Sequence, residues 1–277
     1  MNIIAEIGWN HLGDINLAQR MIVAAKESGA TTVKFQLWDP EFMRNGAWNT
    51  DGRIEIYKKA KLSNEDVLSL KEFSIKTKID ILFSAFGTEG ASRLLSLNFD
   101  SIKIPSHEID KKLILFCSEN FKKIYISTGA SKREEVEWST KHLKNSKKCN
   151  YFNLMHCVSS YPCKIENINL PRIKFLKSIH DHVGLSDHTS NEYTPSYSIS
   201  YGVTVIEKHF TIDNNLDGRD NKFALEPQVF KKMTEHIHLA NLANNDFGLD
   251  GFRDKAEVFY NYYWYQTSTK PNLFSNL

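Results

Sequence analysis

Two histidines end consecutive apolar runs: His188 in Val183-Gly184-Leu185-Ser186-Asp187-His188 and His209 in Val205-Ile206-Glu207-Lys208-His209. If those runs are neighbouring strands, both imidazoles reach the same rim. Such a pair suits a divalent metal ion with open positions for substrate and water. Two hydrogen-bonding histidines are the plainer alternative. Lys34 in Thr32-Val33-Lys34-Phe35-Gln36 and Lys103 in Ser101-Ile102-Lys103-Ile104 also lie in β-rich runs. A lysine in a dry cavity is costly without a counter-charge, so the two imply an anionic ligand such as a phosphate or a carboxylate. A lysine at such a place has a second chemistry, Schiff-base formation with a carbonyl, as in metal-free aldolases. Ser106, Ser127 and Ser186 add hydroxyl donors, Ser127-Thr128-Gly129 offers main-chain N–H groups, and Glu108 is a candidate general base beside the anion.

These residues need a scaffold that brings strand ends together. Short β-rich runs at Ile3–Gly8, Thr32–Gln36, Ile79–Ser84, Ser101–Ile104, Lys123–Ser127, Phe152–His156, His182–Ser186 and Thr204–His209 alternate with amphipathic runs. One of these opens at Asn16 and stops at Gly29, a C-cap residue, and another follows Ser63, which is spaced from Asp66 as a capping-box variant. Ser131–Lys144, Asn167–Ser178 and Pro227–Leu242 read the same way. Eight strand-then-helix units in about 250 residues match an α/β fold of the (β/α)8 TIM-barrel type. A doubly wound open sheet would want a G-x-G-x-x-G turn after its first strand, and Gly8-Trp9-Asn10-His11-Leu12-Gly13 is not one. Polar residues recur at every strand end: Glu6 and Asn10-His11, Lys34 and Gln36, Ser84, Lys103, Ser106 and Glu108, Ser127-Thr128-Gly129, His156 and Ser159-Ser160-Tyr161, Ser186, Asp187 and His188, and Glu207, Lys208 and His209. Barrel strands are apolar on both faces, so the clustering predicts an active site at one mouth.

The barrel is expected over residues 1–250, with a C-terminal aromatic tail at 251–277 that carries Phe259-Tyr260-Asn261-Tyr262-Tyr263-Trp264-Tyr265. Trp38–Leu62 is a long second βα connection that reads as a lid. Hydrophobic residues are 41% and charged residues 25%, enough to bury a sizeable core. The 35 basic and 33 acidic side chains nearly cancel, which leaves no electrostatic footprint for nucleic acid or a membrane surface. Cys117, Cys149, Cys157 and Cys163 show no C-x-x-C spacing and read as reduced thiols of a cytoplasmic protein.

The segments IIAEIGWNHLGD, ATTVKFQ, SIKIPSHEI, ISTGA, LMHCVSSYP, VGLSDHT, VIEKHFT and DGRDNKFALEP stand in the order found in the sialic acid (N-acetylneuraminate) synthases and their nonulosonic-acid relatives. The chain resembles that family from residue 3 to about 240. The resemblance implies condensation of phosphoenolpyruvate with the aldehyde of an open-chain N-acetylated sugar, giving a 2-keto-3-deoxy acid and phosphate. It implies that His188 and His209 bind Mn²⁺, with Mg²⁺ or Co²⁺ as alternatives, and that no organic cofactor is needed. Lys34, Lys103, Ser106, Ser127 and Ser186 would hold phosphoenolpyruvate, and Glu108 would position or deprotonate the water that attacks C2. Tyr161 and Asp220 would face the sugar, and Gln36 and Arg219 join the substrate-binding set; Glu108, Lys103 and Asp220 form the catalytic set.

Three departures bear on the acceptor. Leu12 stands where similar enzymes carry Glu or Asn, His107 replaces a small glycine, and Asp217-Gly218-Arg219-Asp220-Asn221 replaces a P-G-P-D-H-like segment. Members of the family also continue into an antifreeze-like domain that reaches the partner's active site in a dimer and supplies an arginine. With this chain ending at Leu277, the expectation is that Arg219 takes that part, that the domain is a separate chain, or that the acceptor is smaller. A homodimer, a catalytically silent sugar-binding paralogue or partner subunit, and a Schiff-base aldolase are the readings carried beside the synthase.

Overall fold

The computed structural model describes residues 1–246 except 38, 43–45, 47, 49, 107 and 108. Glu108, His107 and the aromatic run after residue 250 therefore lie outside the described residues. Eight parallel strands close into one barrel in sequence order. They are β1 (Asn2–Gly8), β2 (Thr32–Leu37), β3 (Asp80–Ala85), β4 (Ser101–Ile104), β5 (Lys123–Ser127), β6 (Tyr151–His156), β7 (Val183–Asp187) and β8 (Val205–His209). β8 pairs with β1 through Asn2↔Val205 to Glu6↔His209, so the sheet has no free edge.

The helices are α1 (Ile15–Glu27), α2 (Arg53–Ala60), α3 (Asn64–Thr77), α4 (Gly87–Ser96), α5 (Lys111–Asn120), α6 (Arg133–Lys144), α7 (Arg172–Ile179), α8 (Thr194–Tyr197) and α9 (Pro227–Ala243). Side chains explain several boundaries. α1, expected to open at Asn16, begins at Ile15, and Asp14 caps it by accepting from Leu17 N; the Ser63–Asp66 capping box opens α3 as expected. α7 starts at Arg172 rather than Asn167, because Ile165–Asn167 forms a separate 3₁₀ turn and Pro171 stands at the N-cap. Part of the second connection, expected as a lid, is the helix α2.

The period-two alternation of the strands sorts the side chains. Outward residues such as Ile3, Ala5, Val33, Phe35, Ile102, Ile104 and Ile206 pack with the helices in one large core. Inside the barrel, Ile4, Leu82, Met155 and Val205 form an apolar floor with Tyr125 against it. One step further along the same inward faces come Glu6, Lys34, Ser84, Lys103, Ser127, Ser186 and Glu207, all buried. The sequence thus builds a dry plug below and a polar layer above it, at the C-terminal mouth.

Candidate active site

The polar layer is the base of a cavity of about 400 Å³, within the range typical of small-molecule sites. Lys34, Gln36, Lys103, Ser106, Ser127, Tyr161, Ser186, His188, His209, Arg219 and Asp220 all line it. Every predicted site residue that the structure describes is therefore brought to one place; Glu108 is the exception, being undescribed. The cavity also takes residues that the motif reading passed over: Trp9, Arg53, Tyr57, Phe86 and Pro105. Trp9 was legible as a large aromatic straight after β1, whereas Arg53 and Tyr57 arrive on α2, which lies inside a segment read as a loop.

At the base, two lysines and two carboxylates form a chain. Lys34 Nζ lies 2.8 Å from Glu6 Oε2, 3.1 Å from Ser84 Oγ and 3.7 Å from Glu207 Oε1. Lys103 Nζ donates to Glu207 Oε2 at 2.6 Å, and Ser186 Oγ donates to Glu207 Oε1 at 2.9 Å. Gln36 Nε2 donates to Glu6 Oε1 at 2.8 Å. Gly8 has φ +58 and a β-carbon there would come 3.3 Å from Glu6 Oε1, so the bend after β1 leaves room for this carboxylate. Burial alone would raise the Glu207 carboxyl, but Lys103 and Lys34 outweigh it and hold it well below the usual range. Burial raises Glu6 despite the opposing Lys34 charge, and it lowers Lys103 against the pull of Glu207. For Lys34 burial is outweighed by the two carboxylates, and its pKa rises. Both lysines are thus charge-compensated in the free protein, with ammonium faces on the cavity.

Beside this chain stand the two histidines, with ring centroids 5.6 Å apart. The His188 Nδ1 atom lies 2.7 Å from the Val158 carbonyl oxygen. A carbonyl only accepts, so Nδ1 carries the hydrogen and Nε2 keeps its lone pair. Burial brings the His188 pKa down to about 4. His209 is pushed well below its ordinary value by burial, with His188 and Lys34 adding to the effect. Its Nδ1 is buried without a hydrogen bond, 3.8 Å from Asp220 Oδ2. Two neutral imidazoles, one in a fixed tautomer and one with an orphaned nitrogen, fit a divalent ion held by two protein nitrogens. Among the described residues no group of three or more His, Cys, Asp or Glu side chains converges on such an ion. Its other positions would fall to substrate and water.

The outer wall differs in character. Trp9 Nε1 donates to Asp220 Oδ2 at 2.5 Å and the Trp9 ring stacks on Tyr57 with centroids 4.9 Å apart. Burial pushes the Asp220 carboxyl up to about 6, against the Trp9 N–H and the Arg219 charge. Tyr161 lies over His188, ring centroids 4.2 Å apart. Arg53 is held by Asp51, with Nη2 2.6 Å from Oδ2. On the opposite side, Ser106 Oγ sits 2.8 Å from Cys157 Sγ. A β-carbon on Gly129 would come 2.6 Å from that sulfur and 2.7 Å from Ser159 Oγ. Any larger residue there would have to displace these side chains.

Several strand-end residues do not face the cavity. His156 turns outward, with Nε2 2.7 Å from the Ile168 carbonyl. Asp187 and Lys208 pair with each other behind the mouth. Asn10 and His11 are buried away from the cavity lining in the first βα loop. The Thr128 N–H, expected to offer itself to an anion, is spent on the Met155 carbonyl at 2.9 Å. Leu12 is not on the cavity wall either. It supports the last loop, where a β-carbon on Gly218 would lie 3.7 Å from Leu12 Cδ2. All four cysteines are free and buried.

The site is thus a lysine–carboxylate chain and two histidines at the C-terminal mouth of a closed (β/α)8 barrel. The chain belongs to the NeuB family, which it matches over residues 21–247. It is 34% identical over 254 residues to N,N'-diacetyllegionaminic acid synthase of Legionella pneumophila, covering 85% of this chain and 70% of that one. It is also 34% identical over 256 residues to pseudaminic acid synthase of Helicobacter pylori, covering 87% and 74%. The crystal structure of N-acetylneuraminic acid (sialic acid) synthetase from Leptospira borgpetersenii, solved with citrate, superposes with a TM-score of 0.86 at 29% identity, covering 97% of this chain and 92% of that one. These relatives are nonulosonic acid synthases. Among the described residues no helix is long and apolar enough to cross a membrane.

Proposed function

We propose that this protein condenses phosphoenolpyruvate with the aldehyde of an open-chain N-acetylated sugar, releasing phosphate and a 2-keto-3-deoxy sugar acid. The observation that carries the reading is the lysine–carboxylate chain beside two neutral histidines on one cavity floor. Lys34 and Lys103 present charge to the carboxylate and phosphate of phosphoenolpyruvate, and Ser106, Ser127 and Ser186 add hydroxyl donors around it. Glu6 and Glu207 supply the counter-charge that offsets the burial of the two ammonium groups.

A divalent ion, Mn²⁺ foremost with Mg²⁺ or Co²⁺ as substitutes, held by His188 and His209, would supply a Lewis acid for the acceptor aldehyde. The protein's own part is placement. Trp9, Tyr161 and Asp220 form the wall facing the acceptor, so that its aldehyde carbon meets C3 of the enol. The new bond joins C3 to that carbon as the aldehyde π bond breaks, its oxygen becoming a hydroxyl with a proton from solvent, and cationic character is left at C2, close to the fixed carboxylates of the floor. Glu108 is assigned to orient the water that adds at C2 and to take its proton; phosphate then leaves from C2.

Calorimetric titration with phosphoenolpyruvate alone tests the anion half of this reading. Lys34→Met should weaken binding by about tenfold or more, as expected for a lost charge-assisted contact of roughly 1.5–3 kcal/mol. Equal binding to both proteins would contradict it.

A further inference from the structure

The register at the mouth leaves His188 outside the strand ladder. β7 and β8 pair from Gly184↔Val205 to Asp187↔Lys208, which is the last rung. His188 thus lies one residue beyond the ladder, and no rung fixes its distance from His209. Other ties must do so. Cys163 N–H donates to the His188 carbonyl at 2.8 Å, and the His188 ring is held by the Val158 carbonyl. The remaining tie is Lys208.

Lys208 points to the opposite face of β8 from Glu207 and His209. Its Nζ donates to Asp187 Oδ2 at 2.5 Å, Thr189 O at 2.6 Å and Thr189 Oγ1 at 3.0 Å. Asp187 accepts in turn from Thr189 N at 3.0 Å and from Thr189 Oγ1 at 2.8 Å. All three ammonium protons are used, in a niche where both charged side chains are buried. The residues flanking His188 on either side are therefore fastened to the residue that precedes His209.

We infer that Lys208 is a positioning residue, which with Asp187 and Thr189 sets the spacing of His188 and His209 from behind. The inference rests on the two histidines being ligands. Loss of a partner that orients metal ligands typically weakens affinity about 10–100-fold. A buried pair that served stability alone would leave affinity unchanged.

Lys208→Met by itself would strand the Asp187 carboxylate, so the variant to measure is Asp187→Asn with Lys208→Met, which nearly conserves volume. Mn²⁺ affinity is read from loss of the free-ion electron paramagnetic resonance signal, with no substrate present. The expected result is a wild-type circular dichroism spectrum, unchanged phosphoenolpyruvate binding without metal, and Mn²⁺ affinity weaker by about tenfold or more. If the double variant does not fold, Thr189→Val gives the same comparison by removing one hydroxyl, again with weaker Mn²⁺ binding expected. A folded variant that matches a Mn²⁺-binding wild type overturns the clamp alone. A wild type that does not bind Mn²⁺, or that binds it no better than His188→Ala does, overturns the ligand reading and the clamp with it.

Discussion

Lys103 Nζ donates to Glu207 Oε2 at 2.6 Å, joining β4 to β8 across the barrel interior. This carboxylate is also 3.7 Å from Lys34, so it is the shared counter-charge of both lysines. Glu207→Gln keeps the shape and removes the charge. Breaking a buried pair from one side costs about 3–5 kcal/mol; Lys34 then keeps Glu6, while Lys103 loses the carboxylate it is paired with. The variant should be destabilised by about that amount in denaturant unfolding and gain more stability from inorganic phosphate than the wild type does. An equal response to phosphate would contradict a shared role.

Gly129 carries the opposite kind of constraint. Gly129→Ala places a methyl 2.6 Å from Cys157 Sγ and 3.0 Å from Ser106 Oγ, so the Ser106 hydroxyl must move. Overpacking of this kind costs roughly 1–3 kcal/mol. The expected signature is a raised KM for phosphoenolpyruvate with the acceptor KM unchanged. Steady-state kinetics with each substrate varied in turn would show it.

Trp9 ties the first βα loop to Asp220 in the last. Trp9→Phe keeps the stack on Tyr57 but removes the 2.5 Å bond to the carboxylate. A lost hydrogen bond to a charged group is worth roughly 1.5–3 kcal/mol, or about tenfold to a hundredfold. The effect should fall on kcat/KM for the acceptor and leave phosphoenolpyruvate binding intact, as measured by calorimetry.

His11, which does not line the cavity, makes stability depend on pH. It is fully buried, accepts from Gly13 N at Nδ1, and burial brings its pKa down to about 4. The unfolded chain, with an ordinary histidine pKa near 6.5, takes up the proton first. Stability from this residue is therefore complete above about pH 6.5 and is lost as pH falls toward 4, by up to roughly 3 kcal/mol. His11→Gln should flatten the urea midpoint between those limits relative to the wild type. An unchanged acid limb would contradict the assignment.

The strands were legible because alternation and β-branched residues agree with the barrel: β4 and β5 fall at the predicted residues, β1, β2, β6 and β8 differ by one residue at one end, and β3 and β7 are shifted by one at both ends. The helices were less so. α4 begins at Gly87 behind Phe86 with no side-chain cap, and α2 sits among Asn, Gly and Asp residues, so neither announces itself by a cap. For the site, motif residues told which side chains meet but not which way they face. His156, Asp187 and Lys208 share the strand ends with the cavity residues, yet point outward by strand parity alone. Arg53 and Tyr57 were invisible because a cavity wall built by an inserted helix leaves no spacing pattern in the strands.

The central claim is tested most directly by phosphate release from phosphoenolpyruvate with Mn²⁺, across a panel of N-acetylated hexosamines and shorter aldoses, with and without EDTA. The account predicts release that needs one acceptor, stops with EDTA, and is abolished in both His188→Ala and His209→Ala. Release that persists in EDTA and is inactivated by borohydride with substrate, trapping an adduct on Lys34 or Lys103, would contradict it.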